Sequence, residues 1–122
     1  MHLGFLDWES KGGRRFQKLR TDPEVFLLTR VVAEERRVSM TNMLRRSRGS
    51  GHAASARQLA IYLSHVMLER PQDVVAFLFE RDRSTVAHAV QSMEDRREEP
   101  RLEAEIARIE ARLRDGEVRH AA

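Results

Sequence analysis

The chain has 122 residues, 41% of them hydrophobic and 34% charged, which suits one domain with short tails and a modest core. It has no cysteine, which excludes disulfides, thiolate zinc sites and cysteine nucleophiles, and an aromatic content of 6% argues against a large aromatic-lined ligand pocket. The net charge is only +3, but residues 1–57 hold twelve Lys/Arg against six Asp/Glu, while residues 98–122 hold five against seven. A basic front with a mildly acidic rear predicts an oriented encounter with a polyanion.

Residues 1–21 keep no sustained period and contain Gly12-Gly13 followed by Arg14-Arg15; they read as an arm or a short early helix. Asp7 and Glu9 interrupt any signal-peptide core, and the longest apolar run, Val74 to Phe79, is far too short for a bilayer. A soluble cytoplasmic protein, without membrane contact, is the expectation.

Asp22-Pro23 starts a helix, because Asp caps and Pro at the first helical position gives up no needed N–H. Val25, Leu28, Val31 and Val32 carry its apolar stripe to about Arg36. Ser39 caps a short helix from Met40 to about Leu44. The stretch "RRSRGSGHAAS", 45–55, reads as a flexible basic loop. A long helix from about Ser55 to Glu69 turns Leu59, Leu63, Val66 and Met67 inward. Pro71 opens a short helix carrying Val74, Val75, Phe77 and Leu78. After a tight connection at 79–82, a further helix runs to about Glu98. Pro100 restarts the chain, and a last helix over about 101–114 ends at a Gly116 cap. Its stripe of Leu102, Ile106, Ile109 and Leu113 spans about two heptads, too few for a coiled coil, so packing against its own domain, or a pair formed only at high concentration, is expected. No strand alternation and no internal repeat occurs. The fold class is all-α, with five to six helices divided as an arm (1–21), a helix-turn-helix domain (22–99) and a C-terminal amphipathic helix and tail (100–122).

Two short helices joined by about four residues, the second opening on small polar side chains, form a helix-turn-helix pattern. In such motifs the first turn of the second helix meets base edges in the major groove. Asp82 can cap that helix through the N–H of Ser84 or Thr85. Arg83 is long enough for a bidentate contact to guanine, and Ser84 and Thr85 can bond a base or a phosphate without blocking close approach. Val86, Ala89, Val90 and Met93 fall on the opposite face as anchors.

The run Arg81-Asp82-Arg83-Ser84-Thr85-Val86-Ala87-His88-Ala89 resembles the hallmark Arg-Asp-His-Ser/Thr-Thr-Val run, with its following His-Ala pair, of the C-terminal DNA-binding domain of the bacterial replication initiator DnaA. Upstream, "SARQLAIYLSHVML" (55–68) is similar to that family's Arg-Gln-x-Ala-Met-Tyr-Leu helix, and "VSMTNMLRRSR" (38–48) to its Val-x-x-x-x-Leu segment and basic loop. The resemblance covers roughly residues 25–97. No Gly-x-x-x-x-Gly-Lys loop occurs, so the expectation is a stand-alone relative without the initiator's ATPase domain.

The resemblance implies that Arg46 enters the minor groove, that Gln58 contacts the DNA backbone, and that Asp82, Ser84, Thr85 and His88 line the major-groove surface. Arg45, Arg48 and Arg57 would support them through phosphates, which position without specifying sequence. Four positions depart from the family: Arg83 stands for His, Glu80 for a turn Gly, Ala76 for another Gly, and His65 for a frequent phosphate-binding Lys. A left-handed Glu80 would cost about 1–2 kcal/mol.

Two functions fit these residues. One is sequence-specific binding of double-stranded DNA, at a DnaA-box-like or variant site, in the regulation of replication initiation or transcription. The other is a protein-interaction adaptor that regulates the initiation machinery with weak or no DNA binding, for which the acidic C-terminal helix and the arm with Phe5 and Trp8 speak. Enzymatic activity is not expected. His2, His52, His65, His88 and His120 show no ligand spacing, nothing joins Ser and Asp into a nucleophile–base set, and no cofactor or metal is implied.

Overall fold

A computed structural model describes residues 17–45 and 51–121, with side chains as far as Gly116. The described residues are helical and contain no strand. After a helical turn at 17–20, the elements are α1 (Pro23–Arg36), α2 (Met40–Met43), α3 (Gly51–Val66), α4 (Gln72–Phe79), α5 (Arg83–Asp95) and α6 (Pro100–Ala121).

The starts of α1 and α2 follow from their caps. Asp22 accepts a hydrogen bond from the Val25 N–H at 3.3 Å, and Ser39 Oγ accepts one from Asn42 at 3.1 Å. Asp22 has a second task. It takes two hydrogen bonds from Arg70, at 2.7 and 3.1 Å, and so ties the start of α1 to the connection before α4. The Arg70 guanidinium holds the Asp22 carboxyl below the ordinary carboxylate range.

Four helix ends differ from the sequence reading. α3 begins at Gly51, four residues before Ser55, so the second half of the expected loop is helical. Ala53, Ala54 and Ala56 are strong helix formers, and Ala53 and Ala56 are buried. Ser55, inside the helix, accepts a hydrogen bond from Arg36 Nη1 at 3.0 Å, and the His52 ring meets the Arg36 carbonyl. α3 stops at Val66 rather than Glu69, which takes the left-handed region at φ 59°, and Val66 is exposed rather than turned inward. α5 stops at Asp95 rather than Glu98. There the chain tightens into a turn that places Arg97 Nη1 3.1 Å from the Tyr62 hydroxyl and Nη2 2.9 Å from Glu103. α6 continues through Gly116 to Ala121 without the expected cap, and Gly116 passes close to Leu27 of α1.

α3 runs through the centre, with Leu59, Ala60 and Leu63 fully buried and Ile61 and Tyr62 at 1% exposure. α1, α2, α4 and α5 pack around it. α6 lies on α1, burying Leu102, Ile106 and Ile109 with Leu113 at their edge, so the stripe serves its own domain as expected. Polar pairs line the same seam. Arg36 makes a two-pronged contact with Glu105, at 2.5 and 2.8 Å, and Arg112 meets Glu34 and Glu35. No helix among the described residues is long and apolar enough to cross a membrane.

Candidate nucleic-acid interface

α4 ends because Glu80 enters the left-handed region, with φ 53° and ψ 50°. The N–H of Glu80 then reaches the Phe77 carbonyl at 3.2 Å and that of Arg81 reaches Ala76 at 3.0 Å, satisfying the last carbonyls of the helix. Glycine would adopt this conformation at no steric cost, and Glu80 adopts it with strain. Its carboxylate turns toward Lys18, 3.8 Å away, and is only 12% exposed. This Lys18 also stands over the Phe77 ring.

Three residues later α5 is under way. Val86, Ala89 and Met93 are buried against the domain and Val90 is half-buried, as their spacing predicts. Asp82, Arg83, Ser84, Thr85 and His88 are all exposed. The Asp82 backbone is extended and its carbonyl accepts from the Val86 N–H at 3.1 Å, so it stands at the N-cap position. Its side chain, however, makes no capping hydrogen bond, which corrects the expected role. The Asp82 carboxylate and the first turn of α5 therefore face outward together. A helix start with uncapped N–H groups, a guanidinium and two hydroxyls offers hydrogen bonds to phosphates and base edges alike.

The basic segment meets this turn at its stem. Arg45 is exposed, and its carbonyl accepts a hydrogen bond from Arg81 Nη2 at 2.5 Å, across 36 residues of sequence. Two residues earlier, the Met43 carbonyl at the end of α2 accepts from Arg57 Nη1 at 2.9 Å. Arg57 is half-buried, and burial lowers its affinity for the proton. It thus shapes the stem in addition to any phosphate contact. Gln58, the next residue of α3, is half-buried. Arg46 and Arg48 lie outside the described residues.

Contacts therefore run from Arg57 through Met43, Arg45 and Arg81 to the first turn of α5. They bring Arg45, Arg57 and the outward face of α5 to one end of the domain. His65 is elsewhere engaged: its Nδ1 lies 2.9 Å from the Arg70 carbonyl, which can only accept, so the ring N–H donates. Sequence reasoning missed two participants, Arg81 and Lys18, whose partners are remote in the chain. Among the described residues no group of three His, Asp or Glu could hold a metal ion.

Residues 27–93, more than half of the chain, match the family of the bacterial DnaA protein helix-turn-helix. No curated protein and no solved structure matches the chain.

Proposed function

The chain belongs to the bacterial DnaA helix-turn-helix family, and we propose that it binds double-stranded DNA sequence-selectively, at a DnaA-box-like or variant site, to regulate replication initiation or transcription. One observation carries the reading: Arg83, Ser84, Thr85 and His88 are exposed on a helix fixed from behind by Val86, Ala89 and Met93. Arg83 would read a guanine edge, Ser84, Thr85 and His88 would follow the major groove, and Asp82 would accept from a cytosine amino group. Arg45, Arg46, Arg48, Arg57 and Gln58 would hold the backbone and the adjacent minor groove.

Selection of duplexes from a random pool at two salt concentrations tests this reading. An enriched sequence with salt-dependent affinity is expected. On that sequence, Arg83→Ala should cost about 1–3 kcal/mol and relax preference at one position. Arg45→Ala should weaken all duplexes about equally and lower the salt slope by about 1. No enrichment, together with affinity indifferent to salt, would remove DNA as the ligand.

A protein-interaction adaptor is the second reading. It is favoured by Phe77, 54% exposed, and Val74, 37% exposed, one helical turn apart on α4. The acidic residues of α6 give it less support, because Glu105 and Glu103 are engaged by Arg36 and Arg97. Phe77→Ser should abolish capture of such a partner while leaving duplex binding intact.

A further inference from the structure

We propose that Arg81 is a positioning residue that locks the stem of the basic segment to the start of α5, so that Arg45 and the α5 face meet one duplex as a unit. The proposal rests on the DNA-binding reading and adds to it a residue that touches protein rather than DNA.

The backbone of Arg81 is fixed first. Its N–H is spent on the Ala76 carbonyl at 3.0 Å, and the preceding Glu80 holds the left-handed turn that aims it. From this anchored position the half-buried side chain sends Nη2 to the Arg45 carbonyl at 2.5 Å. A cationic donor on a carbonyl makes a stronger hydrogen bond than a neutral one. The other side of the stem is held in the same way, by Arg57 on the Met43 carbonyl at 2.9 Å. Two guanidiniums, one from α3 and one from the connection between α4 and α5, thus grip carbonyls two residues apart. Both hold the backbone that carries the exposed Arg45 side chain, between α2 and residue 46.

The geometry has a consequence for affinity. A flexible stem would have to be ordered when DNA binds, at a cost in conformational entropy. A bracket formed in the free protein removes part of that cost before the encounter. An Arg81 that touched phosphate directly would add its own increment to binding, independent of Arg45. The bracket instead makes the two residues interdependent.

A double-mutant cycle on the full chain separates these cases, with the duplex oligonucleotide recovered by selection as the probe. Arg81→Met and Arg45→Ala should each weaken binding about 3- to 10-fold, and the double variant should bind no more weakly than about the worse single variant. In the Arg45→Ala background, Arg81→Met should leave the salt slope unchanged. Arg81→Met paired with Arg83→Ala should be additive. In the free protein, the ¹³C resonance of the Arg45 carbonyl should shift in Arg81→Met, as it should in Arg81→Gln, whose amide is too short to reach. Circular dichroism establishes that each variant folds, and Arg81→Gln carries the cycle if the methionine variant does not. Costs that add fully between Arg81 and Arg45, a further drop in salt slope, or an unmoved Arg45 carbonyl would each overturn the bracket while wild-type binding stands. If the wild-type chain binds no duplex, the DNA reading fails, and the bracket fails with it as a binding device.

Discussion

Glu80 and Lys18 form an ion pair, 3.8 Å from carboxylate to ammonium, on the one residue of the helix-turn-helix connection that is left-handed. The pair does not offset the strain. Lys18 is 42% exposed, so solvent screens the attraction, and the second carboxylate oxygen of Glu80 is buried without a hydrogen-bond partner. A backbone penalty of about 1–2 kcal/mol therefore outweighs a screened pair worth less than about 1.

Glu80→Gly should accordingly stabilise the domain by about 1 kcal/mol, the relief of strain being partly offset by the freedom glycine has when unfolded. Urea denaturation at neutral pH measures it. A loss of stability would mean that the Lys18 contact contributes more than its exposure allows.

The seam between α1 and α6 separates a half-buried pair from an exposed one. Arg36 and Glu105 are 15% and 14% exposed and doubly hydrogen-bonded, whereas Arg108, at 60%, reaches Glu35 at 3.3 Å. Glu105→Gln should cost about 2 kcal/mol, because it leaves a cationic donor short of its acceptor. Arg108→Ala should stay within about 0.5 kcal/mol. Paired urea melts of the two variants decide the ranking, and equal effects would contradict it.

The acid limb of stability should carry the mark of Asp22. Arg70 lowers its folded pKa, so the stabilisation is present above the unfolded value, near about 3.9, and is lost as pH falls through the folded value. Asn caps a helix about as well as Asp, so Asp22→Asn removes the charge linkage and keeps the cap. Melts recorded from pH 5 down to about 2 should show a shallower decline in Asp22→Asn than in wild type. Parallel curves would assign the acid sensitivity to other carboxylates.

Features written locally were legible in the sequence. The caps at Asp22 and Ser39 are short-range hydrogen bonds, and Val86, Ala89 and Met93 follow helical spacing, so both could be read from adjacent residues. Glu80 was legible as a conditional: the motif places a glycine there, and the chain takes the left-handed turn regardless. Contacts between distant residues were not legible: nothing near Ser55 signals that its hydroxyl meets Arg36, nor does Gly116 announce that Leu27 lies close to it. Within the candidate interface, the outward residues of α5 could be named in advance, but the Asp82 side chain could not be assigned between cap and surface. The Arg81–Arg45 contact joins residues 36 apart, beyond the reach of any periodicity.

Tyr62 gives the alkaline counterpart and a direct optical readout. Its hydroxyl donates to Glu94 at 2.8 Å and accepts from Arg97 at 3.1 Å, joining α3 to the end of α5. Burial raises its pKa, partly opposed by the Arg97 hydrogen bond. The fold thus favours the neutral phenol. That stabilisation is complete below the unfolded pKa, near about 10, and is lost as pH rises through the folded value. Tyr62 is the only tyrosine in the chain, so phenolate absorbance follows this one group. The native titration should lie above that of the urea-unfolded chain. Tyr62→Phe should cost about 1 kcal/mol at neutral pH, since Glu94 is exposed and can turn to water. Above about pH 10 the variant should lose stability less steeply than wild type. A native titration coincident with the unfolded one would show that the hydroxyl is open to solvent, and the Glu94–Tyr62–Arg97 connection would then hold nothing together.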